Sequence, residues 1–229
     1  MVIIVYRLVP FSQIKENRRI LIPEIAEDNV GLEYLLSYCV DNDIETYSSC
    51  GDVHPYIEFI INNKTKDALY GMCSLLINSQ DVREYIVVRL GSINGNNVCR
   101  ISYYDNENIN IVEFFVIITN YLRKAFIKGN DENWLWESAN EVVNFTSKYG
   151  FDNYFEVVKD TDLNSGEDTY MYYLTIHSTN YKKISDFQVK HFPNIRQEYV
   201  NHCYDDYSIG YYTDDIETLL TGRKLVRKK

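Results

Sequence analysis

The chain lacks most of the signatures by which a sequence declares its chemistry. Its five cysteines (Cys39, Cys50, Cys73, Cys99 and Cys203) are odd in number and have no paired spacing, which excludes the disulfide framework of a small secreted domain. There is no Cys-x-x-Cys and no His-x-x-x-His, and the adjacent pair His202-Cys203 does not suit a single metal ion. No Walker loop is present, and no Gly-x-Gly-x-x-Gly follows any strand-like run, so nucleotide binding by a phosphate-cradling loop is excluded. The longest apolar stretch, Ile111 to Ile118, is broken by Glu113 and is far shorter than the roughly twenty residues a membrane helix needs. Positive charge is scarce. Twenty-three Lys and Arg face 33 Asp and Glu, a formal net charge of −10, which argues against coating DNA or an anionic membrane through overall charge. No internal repeat or low-complexity segment is found, and neither a cofactor nor a metal is expected.

What is there suits a packed protein. The 229 residues are 45% hydrophobic and 14% aromatic, with 21 tyrosines, so one large domain or two small ones can form a core. The charge is unevenly spread. Residues 1–128 hold 12 basic and 16 acidic side chains, residues 129–222 hold 6 and 17, and the tail 223–229 adds five positive charges. The apolar start Val2–Val9 has no charged leader and soon meets Pro10 and Lys15, so it reads as a strand rather than a signal peptide. With the unpaired cysteines, this predicts a reduced cytoplasmic location.

Periodicity organises the first half. Leu32, Leu35, Leu36, Cys39 and Val40 form one helical face within 30–41, and Leu69, Met72, Cys73, Leu76 and Ile77 form another within 65–78. Strands are expected at 44–49, 56–61, 85–90 and 98–104, with a hairpin at Asn94-Gly95 and a further helix from Ile111. Together with Val2–Val9 this gives β-α-β-β-α-β. The fold class expected is therefore α+β, with a ferredoxin-like antiparallel sheet and helices on one face in residues 1–128. A boundary is expected at 129–131. Beyond it a smaller, acidic, tyrosine-rich α+β half should span 129–222, with a helix over 132–149 and strands at 151–159 and 170–178. Residues 184–207 are ambiguous, Asp214-Asp215-Ile216-Glu217 reads as a capping box opening a short helix, and 223–229 form a basic tail.

Two loops invite chemistry. In Ser48-Ser49-Cys50-Gly51-Asp52-Val53-His54, the residues Cys50, Asp52 and His54 could supply a nucleophile and a base, and they define the enzymatic alternative. The bland reading is a hairpin loop shaped by Gly51 and Pro55. This stretch resembles the Ser-Ser-Cys motif of wybutosine-synthesis methyltransferases. That family continues with Ser-Gly-Arg where this chain has Gly51-Asp52-Val53, and no activity is carried over. Asp160-x-Asp162-x-Asn164-Ser165-Gly166 approaches a calcium loop, but its glycine falls one position late and Met171 stands where an EF-hand has glutamate, so a polar hairpin is expected. His177 and His191 have no partner nearby in sequence.

The remaining feature is the aromatic, acidic second half, with Trp134, Trp136 and clusters such as Tyr170-Met171-Tyr172-Tyr173. Tyr204, Asp205, Asp206 and Tyr207, with Tyr211, Tyr212, Asp214 and Asp215, are the expected partner-binding residues, since tyrosines anchor interfaces and carboxylates steer toward a basic surface. The competing reading is a tyrosine-rich core under a solvated acidic surface. The 22 Asn and 24 Ile fit an AT-rich bacterial or phage genome, which raises Tyr as well, irrespective of function. The function expected is a non-catalytic binding protein whose partner is a basic protein surface, that of a nucleic-acid-binding protein or its ribonucleoprotein complex. Contact with membranes or directly with nucleic acid is not expected. In composition and absence of motifs the chain resembles phage-borne inhibitors of host nucleases, a class with no shared fold. That resemblance implies carboxylates standing in for phosphates in a nuclease groove, as a counter to host antiviral defence. A third reading is an RNA-binding ferredoxin-like domain using Tyr56, Tyr85 or Tyr104, against which stand the acidic balance and the missing Lys/Arg-Gly-Phe motif.

Overall fold

A computed structural model describes residues 9–51, 54–104, 110–128, 133–161, 168–192, 196–203, 206–213 and 219. Seven helices and eight strands follow one another among them: α1 (Phe11–Glu16), α2 (Arg18–Ala26), α3 (Val30–Asp41), β1 (Thr46–Cys50), β2 (Tyr56–Ile60), α4 (Lys66–Asn78), β3 (Ile86–Ile93), β4 (Asn96–Tyr103), α5 (Ile111–Lys128), α6 (Asn133–Ser147), β5 (Asp152–Thr161), β6 (Asp168–Ser178), α7 (Tyr181–His191), β7 (Arg196–Cys203) and β8 (Asp206–Thr213). The strands make one antiparallel sheet in the order β1-β2-β4-β3-β5-β6-β8-β7. The class is α+β, as expected.

Local chemistry sets the first helical face. The Asn29 side-chain oxygen accepts from the N–H groups of Gly31 and Leu32 at 3.1 and 3.0 Å, which caps α3. Its amide donates to the Gly51 carbonyl at 3.0 Å and so ties the helix start to the end of β1. The β3–β4 hairpin turns where the sequence indicates, with Asn94 and Gly95 at φ 49° and 78°, the left-handed pair a tight two-residue turn requires.

Alternation then sorts the sheet into two faces. Ile57, Phe59, Cys99, Ile101, Val88, Leu90, Phe155, Val157, Leu174 and Ile176 share one face, and each is at most 3% exposed. Helices α4, α6 and α7 meet this face. Cys73 of α4 touches Cys99, Asn144 of α6 accepts from the Asn97 amide at 3.0 Å, and Phe187 of α7 packs on Phe151 with ring centroids 5.1 Å apart. Trp136 of α6, fully buried, donates its indole N–H to Ser74 of α4 at 2.9 Å, so the helices also bond to each other.

Several expectations need correction. The ferredoxin-like order is not met: that order would seat residues 2–9 between β2 and β3, but β4 holds this place and pairs with both. Val2–Leu8 lie outside the described residues. Helices α1 and α2 were not expected; they bury Ile14, Ile22 and Ala26 despite Pro23 within α2. The ambiguous span 184–207 resolves into α7 and β7, and Asp206–Thr213 is a strand. The calcium-like segment joins the hairpin strands β5 and β6, with residues 162–167 of its loop outside the described ones. The boundary at 129–131 and the capping box at 214–217 also fall outside; β3 and β5, on either side of that boundary in the chain, pair with one another.

Candidate functional site

Register sets one row of residues opposite one another across all eight strands: Ser48, Glu58, Arg100, Arg89, Glu156, Tyr173, Tyr212 and Arg196. The side chains from Ser48 to Tyr173 lie on the face away from the buried apolar residues. At ordinary strand spacing the row is about 33 Å long. Its first half is a belt of charge. Arg100 and Arg89 stand directly opposite each other, an arrangement that costs energy unless each has a counter-charge. Each has one on its outer side: Arg100 Nη1 lies 3.3 Å from Glu58 Oε1, and Arg89 Nε lies 2.7 Å from Glu156 Oε2.

Glu58 is the most constrained member, because its residue is 4% exposed on a face that carries mostly polar side chains. Burying a carboxylate costs free energy unless hydrogen bonds satisfy its oxygens. Tyr154 meets this need by crossing from β5 over β3: its hydroxyl donates to Glu58 Oε1 at 2.7 Å and accepts from Arg100 Nη1 at 3.3 Å. The crossing explains Gly91. A Cβ there would lie 2.6 Å from the Tyr154 ring and from the Asn153 carbonyl oxygen. Arg100 is held on its other side by the ring of Tyr56, 3.9 Å from its guanidinium carbon, and Tyr56 in turn bonds Ser48 Oγ at 2.7 Å.

The titration behaviour follows from these contacts. Burial, and then the adjacent Glu58 carboxylate, push the Tyr154 phenol well above its ordinary range, so it remains a donor. Burial works to lower the Arg100 value, but Tyr154 and Glu58 outweigh it, and the guanidinium stays charged. The belt is thus internally neutralised, with two cations facing two anions. It is a hydrogen-bonded cluster of aromatic and paired charged side chains.

The residues singled out by sequence are placed as follows. Cys50 ends β1, opposite Tyr56, as a part-exposed free thiol. His54 is exposed in the turn that follows, no hydrogen bond joins it to Cys50, and Asp52 lies outside the described residues. Of the partner-binding set, Tyr204, Asp205, Asp214 and Asp215 also lie outside. Asp206, Tyr207, Tyr211 and Tyr212 sit on β8, and register separates them: Tyr212 is opposite Tyr173 and Arg196, whereas Tyr211 is opposite Leu174 and Gln197. Among the described residues, no group of three or more His, Cys, Asp and Glu side chains could hold a metal ion.

Sequence reading missed the belt. Its only trace is a charge between two apolar residues within a strand, as in Ile57-Glu58-Phe59, Val88-Arg89-Leu90 and Cys99-Arg100-Ile101. No family model matches the chain, and no curated protein or solved structure proves similar to it.

Proposed function

We propose that this chain is a non-catalytic binding protein that presents its acidic, tyrosine-rich second half to a basic surface on another protein, such as a groove that otherwise receives nucleic acid. One observation carries the reading. The β6-β8-β7 end of the sheet gathers tyrosines scattered along the chain onto neighbouring strands: Tyr173 is opposite Tyr212, and Tyr199 is opposite Gly210 beside them. Tyrosines so placed bury large area at small rotamer cost. The surrounding half carries 17 carboxylates against 6 cations over residues 129–222, which favours encounter with a basic partner. Strand β8 is about 24 Å long at ordinary rise; Asp205 precedes it in the chain, Asp206 opens it and Asp214-Asp215 follow it, so acid stands at both ends of the strand in the sequence.

The test is charge reversal. Replacing Asp205, Asp206, Asp214 and Asp215 together by Lys should abolish capture of the partner from a host lysate while the circular dichroism spectrum and melting curve stay unchanged. Raising salt, which shortens the screening length from about 10 Å near 0.1 M, should weaken capture by the unaltered chain. Capture that survives both changes overturns electrostatic recognition. The enzymatic alternative has one observation in its favour: Cys50 is part-exposed, whereas Cys39, Cys73 and Cys99 are buried. Labelling of Cys50 by a thiol reagent no faster than the other cysteines would remove it.

A further inference from the structure

Cys73 and Cys99 are brought together by the fold although they are 26 positions apart in the chain. Cys73 lies on the buried stripe of α4 beside Met72 and Leu76, and Cys99 lies on the helix-facing side of β4 between its register partners Phe59 and Leu90. Both are 0% exposed, and their sulfurs are 3.3 Å apart. Cys39 provides an internal contrast: it is equally buried, on α3, and among the described residues no sulfur bonds to it.

We propose that Cys73 and Cys99 form a two-electron redox pair, which a peroxide converts into a disulfide joining α4 to β4. The sulfurs must close by about 1.2 Å to reach bonding distance. In the first step one thiolate attacks a peroxide oxygen, the O–O bond breaks, and a sulfenic acid and water form for hydrogen peroxide as oxidant. In the second, the other thiolate displaces the sulfenic hydroxyl, which leaves as water, and the S–S bond forms. Two thiol hydrogens and two electrons are consumed, and one peroxide becomes two waters. Burial, and then the hydrogen bond with Cys99, hold the Cys73 thiol well above its ordinary range, so thiolate is scarce and the reaction is slow at neutral pH and faster at alkaline pH. Arg100 follows Cys99 on β4, so the new bond forms directly behind the charged belt. The inference does not depend on the binding function proposed above.

The test uses the native chain treated with hydrogen peroxide, then unfolded, alkylated and mapped by mass spectrometry. The expected result is a Cys73–Cys99-linked peptide lighter by two hydrogens, with Cys39 still alkylated, and reversal by dithiothreitol. Crosslinking the intervening loop should also raise the melting temperature by on the order of 5–10 °C, a rise that Cys73→Ser lacks. Cys73 and Cys99 remaining as alkylatable as Cys39, under treatment that has oxidised Cys50, would overturn the proposal. So would linkage of either one to Cys50 instead. Both readings come from the unaltered protein and do not require the variant to fold.

Discussion

The first four strands and the last four are arranged alike but filled differently. In each, a helix, a hairpin, a second helix and a second hairpin follow in sequence: α3-β1-β2-α4-β3-β4, then α6-β5-β6-α7-β7-β8. The strands fall in corresponding orders, β1-β2-β4-β3 and β5-β6-β8-β7, and antiparallel pairing throughout gives corresponding strands the same direction. Yet the second set begins with strands of 10 and 11 residues where the first has two of 5. Under the first set lie chiefly aliphatic side chains and thiols, with the rings of Phe59 and Tyr70 among them. Under the second, α7 closes the sheet with an aromatic knot in which Phe187 meets Phe145, Tyr149, Phe151, His191 and Phe192 at centroid distances between 4.9 and 5.9 Å. A topology can therefore repeat where no residue pattern does, because hairpins and split crossovers need only alternation and a helix long enough to return.

The comparison breaks most severely at the aromatic knot. Phe187→Ala should cost about 4 kcal/mol, since it removes a buried ring at the centre of five aromatic contacts. Its counterpart on α4, Cys73→Ala, deletes a single sulfur and should cost about 1 kcal/mol, so paired urea melts measure how differently two like helices hold their sheets. Next in size is the belt. Glu58→Ala strands the Arg100 guanidinium and the Tyr154 hydroxyl together and should cost about 3 kcal/mol by the same measurement. A loss below 1 kcal/mol would mean that the belt behaves as an ordinary surface ion pair.

How legible these features are depends on how local their causes are. The Asn94-Gly95 turn, the stripes of α3 and α4 and the β5–β6 hairpin are set by residues within a few positions of one another, and sequence shows them. Helices α1 and α2 are hidden because charge-rich turns around Asn17 and Pro23 blur their short apolar stripes. Strand β8 is hidden by its composition: Asp206-Tyr207-Ser208 reads as an acidic surface cluster until its pairing with β6 and β7 is known. The belt is the extreme case. Tyr154 and Glu58 are 96 positions apart, and only the register of four strands makes them neighbours.

Gly91 tests that register directly. Gly91→Ala should cost about 2 kcal/mol, because its methyl group meets both the Tyr154 ring and the Asn153 carbonyl. The double variant Gly91→Ala with Tyr154→Ala relieves the ring contact but not the carbonyl one. Part of the loss should therefore be recovered in a double-mutant cycle, and none if Tyr154 does not cross β3.

The last effect sets Tyr154 apart from a solvent-exposed tyrosine by pH. Tyr154→Phe removes the hydrogen bonds to Glu58 and from Arg100 and should cost about 1.5 kcal/mol near neutrality. Its sharper signature is alkaline. An unfolded tyrosine loses its proton near pH 10, whereas folded Tyr154, held up first by burial and then by Glu58, keeps it. Above that pH the unfolded chain binds fewer protons than the folded one. Stability therefore falls as pH rises, by up to about 1.4 kcal/mol per unit for each such group, until the folded phenol itself ionises. Tyr70 and Tyr38, both raised chiefly by burial, should contribute the same sign. Urea melts at successive alkaline pH values should then show a shallower decline for Tyr154→Phe than for the unaltered chain. An equal decline would mean that Tyr154 titrates like the exposed tyrosines, and that the row across the sheet has no dry centre.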